Sequence, residues 1–128
     1  MSPHLCGMTI PKSDPNARGN FEGIGLQHTR GHFVRAILEA VARMLGDCVD
    51  CLDEKPAELR ATGGGAMSPL WCQIKADTVG VPLCTVECPE TACLGSAMLA
   101  GMAHGVYASL SDASGKAVKI KNTYIPKK

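Results

Sequence analysis

Three consecutive glycines, Gly63, Gly64 and Gly65, followed within three residues by Ser68-Pro69, constrain this chain more than any other feature. Glycine loses more conformational freedom on ordering than any other residue, so a run of three breaks whatever helix or strand it meets. The flanks can then be read outward from the break. Glu58 to Thr62 reads as a short strand running straight into the glycines. Ser68 can cap free amides, and Pro69 fits the first helical position, where its missing N–H has no partner to lose. The spacing predicts a helix from there to about Val79, stopped by Gly80. A strand, a glycine turn and a helix make one unit of an α/β fold.

Upstream, apolar residues recur at Val34, Ile37, Leu38, Val41, Leu45, Cys48, Val49 and Leu52, the spacing that keeps one face of a helix dry from Gly31 to about Asp53. Arg35, Glu39 and Arg43 follow at i, i+4 intervals on the other side. Downstream, Val81 to Val86 reads as a second strand and Thr91 to about His104 as a third helix lined with small residues. Helix, strand, helix, strand, helix is an order that needs crossover connections and predicts short parallel strands in an α/β sheet. Residues 1–20 carry Pro, Gly, Asn and Asp without periodicity and read as an extended loop. Phe21 to Leu26 offers a weak strand, broken by Gly23 and Gly25. Residues 111–128 read as a tail, with a polar turn from Ser111 to Lys116 and an edge strand near Val118 to Ile125.

Charge and composition exclude whole classes of partner. Thirteen basic against twelve acidic residues leave a net charge of +1, too little to hold nucleic acid or an anionic membrane surface. The longest weakly polar run, Ala92 to Ala103, is far short of the roughly 20 residues of a membrane span. No signal peptide is visible, and a cytoplasmic protein is expected. With only 4% aromatics the core must come from small aliphatic residues and cysteine. The cysteines number seven, and Cys48, Cys72 and Cys93 fall within apolar periodic stretches, which suits reduced, buried thiols. Cys48 and Cys51 lie one helical turn apart without a second ligand pair, and His28 and His32 lack a third ligand, so no metal site is expected.

The glycine segment carries the chemistry. It sits between a strand's carboxyl end and a helix N-terminus, where ligands bind in open α/β sheets. Amides opening the helix are unpaired and carry partial positive charge, so a phosphate or nucleotide is the natural guest. No Lys-Ser/Thr follows the glycines, so this is not a Walker A loop.

Three stretches, in order, resemble one family. Gly19-Asn-Phe-Glu-Gly-Ile with His32-Phe-Val-Arg-Ala-Ile-Leu-Glu39 is similar to the C-terminal signature of the FGGY carbohydrate kinases. The segment from Glu58 through Gly63, Ser68 and Trp71 to Asp77 resembles their adenosine segment, and Pro89-Glu-Thr-Ala-Cys-Leu-Gly-Ser-Ala-Met-Leu-Ala100 their last domain helix. Pro3-His-Leu-Cys-Gly adds a xylulokinase-like flavour. The resemblance implies that residues 1–128 are part of an actin/hexokinase-type, ribonuclease-H-like ATP-binding domain. It further implies a parent enzyme that moves phosphate from ATP, with Mg2+, to a ketose or polyol such as xylulose. Gly63, Gly64, Gly65, Ala66 and Ser68 would meet the nucleotide, whereas Pro69 stands where glycerol kinases carry an Asn. The helix with Gly95, Ala97 and Gly101 would connect two domains.

The family's sugar-binding half, with its catalytic aspartate, has no counterpart in these residues, so no catalytic residue is expected here and the chain alone should be inactive. In the family's arrangement the two strands would flank an upstream central strand, leaving an apolar edge and a tendency to homo-oligomerise. Two rivals stand beside this reading: a non-catalytic nucleotide-binding or interaction module built on the same turn, and a cysteine-based metal or redox protein.

Overall fold

The computed structural model describes residues 1–10 and 12–127. Four helices and three strands follow the order α1 (Arg30–Asp50), β1 (Leu59–Ala61), α2 (Pro69–Val79), β2 (Leu83–Val86), α3 (Thr91–Ala103), α4 (Leu110–Ala117) and β3 (Ile120–Tyr124). The sheet order is β1-β2-β3, with β1 and β2 parallel and β3 antiparallel to β2. The strands expected to flank an absent central strand are therefore direct neighbours, joined by the α2 crossover. Leu59 pairs with Leu83 and Ala61 with Thr85, so both strands end together beneath the glycine turn.

Helix α2 sits between α1 and the sheet. On one side Cys72, Ala76 and Leu83 close over Leu59, Ala61 and Tyr124; on the other Val79 and Val81 meet Val49 and Leu45. Cap chemistry sets the limits of α2. The Ser68 hydroxyl accepts from the Trp71 amide at 3.3 Å, and Gly80 ends the helix in the left-handed region at φ 68°. The N-terminus of α1 is capped differently: the Thr29 amide donates to Nδ1 of His32 at 3.1 Å. His28 serves a similar local role, accepting from the Gly25 amide at 2.8 Å.

Several expectations need correction. The periodic face of α1 is only partly dry: Val34 is 51% and Leu52 55% exposed, because α2 covers just the stretch around Ala40, Ala42 and Val49. Phe21 to Leu26 forms no strand; Phe21 instead stacks edge-on against Phe33 at 5.1 Å. Ser111 to Lys116 is helix rather than turn, since Ser109 caps the Asp112 amide at 3.1 Å and Asp112 binds Lys116 one turn on. Cys93 is exposed, while Cys72 and Cys84 are buried and all seven thiols are free. The edge strand near the end is present as β3, tied to α2 where Gln73 donates to the Ile125 carbonyl and Asp77 accepts the Lys127 amide, both at 2.8 Å. No described helix is long and apolar enough to cross a membrane.

Candidate functional site

Gly63 leaves β1 with φ 73°, a conformation that side chains disfavour. The next three residues wind into a 3-10 turn, closed by bonds from the Ala66 amide to the Gly63 carbonyl at 3.0 Å and from Met67 to Gly64 at 3.2 Å. Below the turn the buried Cys72 thiol donates to the Ala66 carbonyl at 3.5 Å. Burial pushes the Cys72 thiol up, against a smaller opposing pull from Lys75, so it keeps the proton that this contact uses. The amides of Gly64, Gly65 and Leu70 find no backbone acceptor among the described residues and remain available to a guest.

The glycines are not equivalent. A Cβ on Gly63 or Gly64 would meet nothing within 4 Å, whereas one on Gly65 would stand 3.1 Å from the Trp71 ring and 3.3 Å from Nζ of Lys75. Trp71 is itself anchored, donating from Nε1 to the Leu38 carbonyl at 3.3 Å, with the Lys75 ammonium 3.9 Å above its ring. One side of the turn is thus packed against protein and the other is open.

Beside the open side lies a cavity of about 220 Å³ at the carboxyl ends of β1 and β2. Gly63, Ala66, Met67 and Pro69 form one wall. Thr85 and Glu87 come from the end of β2, and Lys121 and Asn122 from antiparallel β3. Two larger hollows, of about 260 and 400 Å³, lie at the start of α1 and beneath the N-terminal loop, and neither touches the glycine turn. The strand-end cavity is the one that chemistry favours, because the glycine turn, threonine hydroxyls and a lysine border it together.

Of the five residues expected at a nucleotide, Gly63 and Ala66 line this cavity, and Gly64 faces open space. Gly65 packs against Trp71, and the Ser68 hydroxyl is engaged in capping. Sequence reasoning missed Thr85, at the end of β2, and Lys121 and Asn122, which reach the site only through the pairing of β3. Among the described residues no group of three His, Cys, Asp or Glu side chains is placed to hold a metal ion.

A glycine turn and a helix N-terminus opening on a polar crevice at parallel strand ends define a ligand-binding α/β domain. Residues 1–104 match the FGGY family of carbohydrate kinases, C-terminal domain, and the chain belongs to that family. A glycerol kinase of Bordetella parapertussis is 38% identical over 116 residues, covering 88% of this chain and 23% of that protein. Ligand-bound xylulose kinase from Lactobacillus acidophilus superposes with a TM-score of 0.85 at 30% identity, over 98% of this chain and 26% of that one. Glycerol kinase of Plasmodium falciparum, solved with ADP, gives 0.86 at 27% identity with the same coverage. The fold is thus the actin/hexokinase type expected, and the chain spans about a quarter of the length of these relatives.

Proposed function

We propose that this chain supplies the ATP-binding part of an ATP-dependent carbohydrate kinase whose acceptor is a polyol or ketose, with xylulose favoured by the Pro3-His-Leu-Cys-Gly segment. The observation that carries the proposal is the one-sided glycine turn: Gly63 and Gly64 present bare backbone beside a polar crevice, while Gly65 is braced from behind by Trp71. Bare backbone lets a phosphate approach the amides directly, and the N-terminus of α2 adds partial positive charge. Gly63, Gly64 and Ala66 are the nearest contacts in this reading, and Gly65 and Ser68 hold the turn in shape for them. Mg2+ would arrive with the ATP phosphates, whose oxygens supply several of its ligands. The described residues offer it no cage of their own, so the chain's part is to hold the nucleotide.

Phosphoryl transfer needs acceptor, base and charge stabilisation assembled in one place. The chain alone is therefore expected to bind ATP without phosphorylating xylulose or glycerol. An ATP-consuming role implies a cytoplasmic setting, and the uncovered apolar surface of α3 favours self-association of the isolated chain.

Gly64→Val is the sharpest test. Its Cβ meets no atom and its backbone is not in the left-handed region, so the fold should survive while the side chain fills the open face. Calorimetry should show ATP binding to the parent chain and its loss in Gly64→Val at an unchanged melting temperature. Equal binding by both would sink the assignment. Gly65→Val serves as a contrast, because its side chain strikes Trp71 and should lower stability as well.

A further inference from the structure

Thr85 is 4% exposed and lines the strand-end crevice, yet its hydroxyl has no hydrogen-bond partner among the described residues. No sealed side-chain oxygen or nitrogen among them lacks a partner, so this hydroxyl reaches the crevice itself. A hydroxyl left that deep without a protein partner is unfavourable unless water or a ligand satisfies it. Above it stand two more unengaged polar groups. The antiparallel register sets Asn122 opposite Thr85, and Lys121 precedes it at the rim. Neither the Lys121 ammonium nor the Asn122 amide takes part in an ion pair or side-chain hydrogen bond among the described residues. Both belong to β3, beyond the residues 1–104 that match the family.

We propose that Thr85, Lys121 and Asn122 form a subsite for a phosphoryl group of the bound nucleotide, in which Lys121 makes affinity depend on the ligand's charge. This rests on the nucleotide reading above and adds to it the residues that discriminate among nucleotides. The Thr85 hydroxyl and Asn122 amide donate to phosphoryl oxygens, and the ammonium supplies the opposite charge. Glu87 lines the same crevice with the wrong sign, so it works against Lys121 and its neutralisation should strengthen binding.

The test is calorimetry of the full chain at low salt with ATP, ADP, AMP and adenosine. The parent should bind more tightly as ligand charge rises. Lys121→Met should weaken ATP roughly three- to tenfold, the range for a partly exposed charged hydrogen bond, and leave adenosine unchanged. Glu87→Gln should tighten ATP. Thr85→Val removes a hydroxyl that bonds nothing in the protein, so the melting temperature should hold while ATP binding weakens. If Lys121→Met shifts ATP and adenosine alike, or neither, the subsite is overturned. A fall in melting temperature for Thr85→Val with unchanged ATP affinity overturns it too, by assigning the hydroxyl to the fold. Binding abolished by Gly64→Val but indifferent to Lys121 and Thr85 would spare the nucleotide reading alone; a parent chain that binds no nucleotide ends both.

Discussion

Helices α2 and α3 are of similar length, and both follow a strand of the parallel pair, yet they meet opposite fates. In α2 four residues are buried, Cys72, Ile74, Ala76 and Val79, and the helix is enclosed by α1 and the sheet. In α3, which is almost wholly apolar, no residue is buried, and Leu99 stands 58% exposed. Apolar composition therefore does not by itself make a core; burial needs a neighbour of matching shape, and α3 has chiefly α4. The candidate site borrows rigidity from the first helix. The glycine turn begins α2 and is held by its Cys72, Trp71 and Ser68.

This contrast can be broken by measurement. Leu83→Ala, beneath α2 and 1% exposed, should cost about 2–5 kcal/mol in urea unfolding, the range for deleting a buried leucine side chain. A cost below that range would mean that the α2 layer is no tighter than α3. Ser68→Ala removes the cap from α2 and should cost about 1 kcal/mol, with faster hydrogen exchange in the glycine turn than elsewhere. Acid should act at the far end of the same helix. The Lys127 amide, and then the Gln73 side chain, hold the Asp77 carboxyl below the usual carboxylate range. A lowered folded value means that the contribution is complete above the unfolded Asp range and disappears as pH falls through the folded one. Protection of the Lys127 amide, its exchange relative to an unstructured amide at the same pH, should fall on acidification, and Asp77→Asn should remove that dependence. The carboxylate is exposed, so the effect on global stability is smaller than that of the cap. Leu99→Ser in α3 should change stability by less than about 0.5 kcal/mol while reducing self-association in light scattering.

Local chemistry was legible and partners were not. Ser68, Pro69 and Gly80 mark α2 because caps act within a few residues. The 3.6-residue period located α1, but Val34 and Ile37 could not reveal that they are only partly covered, since periodicity names a face and not its neighbour. Helix α4 was hidden by two serines and Gly115, weak helix formers that the Ser109 cap and the Asp112–Lys116 pair offset. At the site, three glycines announced a turn. Which of them faces outward depends on Trp71, six residues further on, and the contribution of Lys121 and Asn122 depends on an antiparallel register that no short motif encodes.

The position of Trp71 has a practical consequence. It is the single tryptophan of the chain, and its ring lies against Gly65 at the back of the turn. Intrinsic fluorescence of the unlabelled chain therefore reports from one known place. Any movement of the turn, or of the Lys75 ammonium that shields the indole, should appear as a change in emission.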